Sequence, residues 1–259
     1  MTDSSGLFSV VIPVKNAVGT LGRTLEALHV QSYRKFEIII VDGGSTDGTL
    51  ELIAATGVQR LILLSDTEGG ITTAVNKGIK ASSGEFVLPW MCADDYLDPN
   101  FLEAMAGEFG TPDIGVVYGN WHVVDRGVVT KSRVPVRSWK DEIEYYMPVI
   151  LPNAFAFRAS VFRQIGYLDE RLKYSNDYDF LRRVVIAGVP GAYSPSAWYY
   201  YQVGGLSQQR FLDCALEVAG AAVAHGSSRR AVYMHLARLY LATHVSFMLN
   251  RIRRLLHRR

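Results

Sequence analysis

The chain has 259 residues, 49% of them apolar, and a formal net charge of +2. That content can bury one large core, or one core plus a smaller appended region, and excludes a disordered chain, and a charge so near zero gives no electrostatic footprint for a nucleic-acid partner. Two cysteines far apart, Cys92 and Cys214, supply neither a disulfide framework nor a zinc site, which fits a reducing cytoplasm.

Met1 to Gly6 is short and polar, and the run Leu7 to Val14 holds a serine and a proline without a basic flank, so it reads as a strand and not a signal peptide. Five strands are expected in the first half, at Phe8 to Val14, Phe36 to Val41, Arg60 to Leu64, Glu85 to Trp90 and Ile114 to Tyr118. Helical patterns alternate with them, among them Ala17 to Gln31, Ile71 to Lys80 and Pro99 to Phe109. This alternation predicts an α/β fold with a mostly parallel sheet flanked by helices, whose ligand crevice lies beyond the carboxyl ends of the strands. The second half is more mixed. A hairpin turning at Asp125 to Gly127 joins Trp121 to Val124 and Val128 to Arg133; strands at Ala154 to Arg158 and Ala197 to Val203 and helices at Ser160 to Gly166 and Asp177 to Ala187 follow. From Arg229 a helical pattern runs to a basic end with Arg251, Arg253, Arg254, Arg258 and Arg259. Arg238, His244 and Arg251 break its apolar run below the length of a membrane span. It predicts either an amphipathic helix packed on its own domain or one lying on an anionic membrane surface. The domain reading is one unit over residues 1–225, with halves 1–119 and 120–225, and a basic amphipathic extension over 226–259.

Chemistry collects after the strands. Asp94 and Asp95 follow the fourth run, and adjacent carboxylates there repel unless a divalent cation, Mn2+ or Mg2+, joins them. Asp98, just before Pro99, reads instead as a helix cap. In Asp42-Gly43-Gly44-Ser45-Thr46-Asp47-Gly48, glycines permit close backbone approach to a ligand; Asp42 is placed to accept hydrogen bonds from a base or ribose, and Asp47 to cap the next helix. Gly69 and Gly70 open a helix bearing Asn76 and Lys77, whose positive end suits a phosphate, Lys77 reading equally as a surface charge. Asp177 and Asp179 open an arginine-rich helix, and at most one of them faces the crevice.

In order along the chain these segments resemble the family 2 glycosyltransferases, whose nucleotide-binding domain has the GT-A fold. The likeness runs from Ser9 to Asn16, through Gln31-Ser32-Tyr33 and the Asp42 loop, to Asn76 to Ile79, Gly84-Glu85 and Ala93-Asp94-Asp95. It continues through Ile165 to Asp169 and Asn176 to Asp179. The Val41 to Thr49 loop is similar to members that assemble colanic-acid-like exopolysaccharide or lipopolysaccharide. The resemblance implies that residues 1–119 bind a nucleotide-diphosphate sugar and 120–225 a saccharide or lipid-linked acceptor. It implies Pro13, Val14 and Asn16 at the base pocket, Asp42 on the nucleoside, Gly70, Asn76 and Asp94 around the donor, Asp95 as the direct metal ligand and Asp177 as the catalytic base of an inverting transfer. Gly43 stands where many relatives carry a second aspartate, and the histidines that others place around Asn153 or near Gly204 and Gly205 are missing. The expected protein is thus a cytoplasmic polysaccharide-assembly enzyme, peripheral on the inner membrane face if its tail binds lipid. A sugar-1-phosphate nucleotidyltransferase would want a glycine- and arginine-rich loop where Pro13 to Asn16 stand. A non-catalytic, membrane-associated nucleotide-sugar-binding subunit is the other alternative.

Overall fold

The two most continuous apolar runs become neighbouring parallel strands, β1 (Phe8–Val14) and β2 (Phe36–Asp42), in register from Phe8 opposite Phe36 to Val14 opposite Asp42. They belong to a computed structural model that describes residues 6–58, 60–135, 140, 151–205 and 209–238. Phe8, Val10, Val11 and Ile12 on β1 and Ile38, Ile39, Ile40 and Val41 on β2 are all buried, which is why neither strand alternates polar with apolar residues. β3 (Leu61–Ser65) extends the sheet beyond β2, and β4 (Phe86–Leu88) pairs with the other side of β1, both in parallel. All four strands therefore end on one rim.

Helices α1 (Leu21–His29), α2 (Thr49–Ala55), α3 (Ile71–Ala81) and α4 (Phe101–Phe109) alternate with these strands. Leu21, Thr24, Leu25 and Leu28 form the buried stripe of α1. The helix expected from Ala17 begins only at Leu21, because the N–H groups of Thr20 and Leu21 both turn back to the Ala17 carbonyl. α3 runs so close to β1 that a Cβ on Gly78 would enter the space of the Val11 side chain.

The rest of the chain completes the same sheet with β5 (Tyr96–Leu97), β6 (Val116–Asp125), β7 (Val128–Arg133), β8 (Phe155–Arg158) and β9 (Gly191–Gln202). The order among the described residues is β3-β2-β1-β4-β8-β6-β9-β5, with β7 on β6. Antiparallel pairing enters where β8 meets β4 and β6, whereas β9 runs parallel to β6.

The strand expected at Ile114 to Tyr118 and the hairpin arm at Trp121 to Val124 are one strand, β6, interrupted by a register shift between Tyr118 and Asn120. The Asn120 amide satisfies that irregularity, donating to the Pro195 carbonyl at 2.8 Å and accepting the Tyr193 hydroxyl at 2.6 Å. Pro195 interrupts the alternation of β9, which therefore begins at Gly191 and not at Ala197 as expected. Strand β4 is shorter than the run Glu85 to Trp90, and β5, only two residues long, had no periodic signal.

Helices α5 (Ala159–Ile165), α6 (Asn176–Ile186) and α7 (Phe211–Ala224) flank the second half. α7 has no counterpart among the expected elements: it buries Ala215, Ala219 and Ala222 while Leu212 and Leu216 face out, the reverse of the usual size pattern. Residues 229–238 are helical, and the remainder of the expected extension, with its terminal arginines, lies outside the described residues. Among the described residues no helix is long and apolar enough to cross a membrane.

Candidate active site

The rim loops are built around their own polar side chains. Asp42, at the end of β2, is 4% exposed, and its carboxylate accepts the N–H groups of Gly44 (2.9 Å) and Ser45 (3.0 Å) and the Ser45 hydroxyl (2.5 Å). Gly44 and Gly48 take φ of +81° and +95°, which lets the loop turn this tightly. Asn16, two residues past the end of β1 and at φ +52°, grips the loop: its Oδ1 accepts the Thr46 N–H, and its own N–H donates to the Ser45 hydroxyl, both at 2.9 Å. A positive φ in an asparagine is uncommon and tolerable, and here the two bonds hold it. Asp47 accepts the N–H and hydroxyl of Thr49, the first residue of α2, and the N–H of Val18, but the N-cap of α2 is Gly48, so the aspartate ties the loop together and does not hold the cap position expected of it. Asp98 accepts the N–H of Asn100, and because α4 starts only at Phe101 the cap position belongs to Asn100 and not to Asp98 as expected.

The acid pair sits in the turn between β4 and β5. Asp95 is 1% exposed; Oδ2 accepts the Tyr199 hydroxyl at 2.8 Å and Oδ1 the main-chain N–H of Gln202 at 2.7 Å, both from β9. Burial raises its pKa to about 7 against these bonds, with the charge of Asp94 adding to the rise. Burial raises Asp94 as well. Cys92, Asp94 and Asp95 each bring one ligand atom, all within 4.8 Å of one another. Two desolvated carboxylates with lone pairs to spare fit a hard divalent cation. The Cys92 thiol, held protonated by burial and by Asp95 and Asp94, is a neighbour of that site more than a ligand in it.

Asp177 stands in the first turn of α6. Its Oδ1 accepts the N–H of Tyr178 at 2.6 Å, and burial, helped by the charge of Glu217, raises its pKa to about 6. Asp179 points elsewhere: it binds Arg183 Nε at 2.9 Å and His225 Nε2 at 2.7 Å, so only Asp177 of the two faces the crevice.

A cavity of about 500 Å³ joins Asp94 and Asp177, within the range of small-ligand sites. It brings together Pro13 from β1, Asn16 just after it, Asp94 from the acid turn and Asp177 from α6. The other expected residues stand behind its surface. Val14 gives its carbonyl to the Gly43 N–H, Asp42 is turned into its loop, and Gly70 precedes α3, whose Ile71 and Val75 line the cavity. Asn76 exchanges hydrogen bonds with the main chain of Leu168 and donates to Glu170, fastening α3 to the segment before α6, and Lys77 donates to the Ser65 carbonyl. Sequence reasoning missed Tyr199, Asn153 and Lys173. The Asn153 amide donates to the Trp90 carbonyl at 2.8 Å and reaches the Cys92 thiol at 3.1 Å, and Lys173 lines the same cavity as Asp177. For Tyr199 a signal existed: in an aromatic strand of period two, Tyr199 and Tyr201 share a face. A second hollow, between Ser83 to Glu85 and Arg158 to Arg163, lies at the opposite ends of the strands and contains the Glu85–Arg158 ion pair.

Residues 9–166 match the sequence profile of glycosyl transferase family 2. An uncharacterized glycosyltransferase of Rickettsia typhi is 29% identical over 185 residues, 68% of this chain and 57% of that protein, so the chain spans little more than half of that relative's length. A PGL/p-HBAD biosynthesis glycosyltransferase of Mycobacterium tuberculosis is 31% identical over 179 residues, 67% of this chain and 68% of the relative. Among solved structures, S. aureus TarS 1-349 in complex with UDP-GlcNAc superposes with a TM-score of 0.64 at 22% identity, over 87% of this chain and 69% of that one. The mannosyltransferase PcManGT from Pyrobaculum calidifontis, in complex with GDP-Man and Mn2+, gives 0.61 at 20% identity, over 85% and 63%. At such identities the likeness carries the fold, which is the GT-A arrangement. Asp177 and α7 lie beyond the matched residues. With its profile match extending over more than half of its length, the chain belongs to glycosyl transferase family 2.

Proposed function

We propose that the chain moves a sugar from a nucleotide-diphosphate sugar to a hydroxyl of a saccharide or lipid-linked saccharide, with inversion at the anomeric carbon, in cell-envelope polysaccharide assembly. The observation that carries this reading is that Asp94, beside the buried Asp95, and Asp177 line one cavity. In it Pro13 and Asn16 border the base, and Val14, Asp42 and Asn76 hold the surrounding loops in shape. The amino end of α3, from Gly70, presents main-chain N–H groups toward the diphosphate side. A divalent cation (Mn2+ or Mg2+) bound by Asp95 with Asp94 supplies charge neutralisation for the departing diphosphate. Asp177 accepts the proton of the attacking acceptor hydroxyl at its carboxylate, and a proton affinity raised toward neutrality makes it a better base than an ordinary aspartate. That solved neighbours bind UDP-GlcNAc or GDP-Man supports the donor class. That the mycobacterial relative is named for PGL/p-HBAD biosynthesis supports a biosynthetic role.

The cytoplasmic, membrane-peripheral placement draws support from exposed Leu212, Leu216, Tyr233 and Met234 together with exposed Arg229, Arg230 and Arg238. The deciding experiment is a screen of UDP-, GDP- and dTDP-sugars with Mn2+, read by donor hydrolysis and by thermal stabilisation. Turnover of one donor, lost in Asp177→Asn with its stabilisation retained, is the expected result. Stabilisation without turnover of any donor or acceptor would make the chain a nucleotide-sugar-binding subunit, and no response at all would end the reading.

A further inference from the structure

We infer that Glu217, on α7, is a positioning residue for Asp177, fixing the turn from which that side chain enters the cavity. The inference rests on the reading of Asp177 as the base.

Three successive main-chain N–H groups converge on the one carboxylate: Lys173 donates to Oε1 at 3.0 Å, and Tyr174 and Ser175 donate to Oε2 at 2.6 and 2.7 Å. Charge-assisted bonds of this kind are the stronger class, and they take up donors that a tight turn leaves unpaired. Ser175 immediately precedes α6, so the bonds end two residues from Asp177. Lys173 and Tyr174 line the same cavity as Asp177. The far end of α7 is tied to α6 as well, through His225 and Asp179 at 2.7 Å. α7 thus grips the chain before Asp177 at one point and after it at another, and it also sends Cys214 into the cavity. A carboxylate spent only on packing has no reason to gather the three amides next to the base.

The charge of Glu217 acts on the same group. Cys214 from α7, Lys173 and Tyr174 from the turn, and Asp94, Cys92 and Lys15 line the cavity together with Asp177. Of these neighbours and Glu217, Glu217 is the charge that bears on the Asp177 proton, and it strengthens the hold.

The test uses the full chain and Glu217→Gln, which keeps the shape and removes the charge. Carboxyl NMR titration, with the Asp177 signal assigned by its loss in Asp177→Asn, needs no substrate. The Asp177 pKa is expected to fall by about half a unit or more in Glu217→Gln, since a like charge has been removed. With the donor active in the screen, kcat is expected to fall about tenfold while the donor KM stays within about twofold, as misplacement of a catalytic group predicts. The acid limb of the rate profile should move to lower pH. Glu217→Asp, which keeps the charge but is one methylene short, should hold the titration near the wild-type value and still lose kcat. An unchanged Asp177 titration together with wild-type kcat in Glu217→Gln overturns the inference. Wild-type turnover in Asp177→Asn instead overturns the underlying assignment of the base, so the two failures are told apart.

Discussion

Asp95 and Asp177 hold their protons more tightly than ordinary aspartates, and burial is the leading cause for both. Replacing Asp177 by Asn should lower kcat by about 10²- to 10⁴-fold, the usual contribution of a general base, with nucleotide affinity by calorimetry little changed. In the wild type the acid limb of kcat/KM should lie near pH 6, since the base works only when ionised. Manganese-dependent nucleotide binding should weaken as pH falls through about 7, where Asp95 takes up its proton. Both pKa values are raised on folding, so the stability these groups contribute is full below about pH 4 and is lost as pH rises through 6 and 7. A cation on the acid pair offsets that loss, and calorimetry should show Mn2+ raising Tm more at pH 8 than at pH 5.5. Removing the hydroxyl in Tyr199→Phe should reduce metal affinity by about 10- to 100-fold, the usual effect of losing a group that orients a ligand. The acids themselves were legible because charge at the end of an apolar run has few structural explanations. Their partners were not, since Tyr199 and Gln202 are 104 and 107 residues from Asp95 and nothing local marks them.

At the level of elements, β1 and β2 could be read almost to the residue, because strands buried on both faces leave unbroken apolar runs. β6 and β9 were harder. A register shift between Tyr118 and Asn120 of β6, which leaves extra residues on β9, and a proline inside β9 disturb the alternation by which a strand is recognised. α7 was hidden for a different reason: four of its five buried residues are alanine, the other being Val218, so the contrast that marks an amphipathic helix is small. Close packing makes its own prediction at Gly78. Alanine there meets Val11 and should destabilise the chain by about 1–3 kcal/mol in thermal unfolding, the range for an overpacked core, with donor affinity of the folded protein unaltered.

On the scale of the whole molecule, the general plan of polar groups on one rim of a parallel sheet followed from where the strands end, and the cavity does lie there. The continuation of that sheet through the second half, with β8 antiparallel to β4, did not follow, since strand order depends on pairings between distant segments. If the basic end lies on a bilayer, the full chain should co-sediment with vesicles rich in anionic lipid at low salt and be released by about 0.5 M NaCl, because attraction of about 1 kcal/mol per basic residue is screened beyond a Debye length. Retention at that salt, or equal capture by neutral vesicles, would count against the membrane reading. The grip of β9 on Asp95 has an evolutionary corollary. One of its two bonds comes from the peptide group of residue 202, so any amino acid with an amide hydrogen serves there equally well. Sequence can drift at that position without loosening the carboxylate, and proline is the single genetic change that would delete the donor.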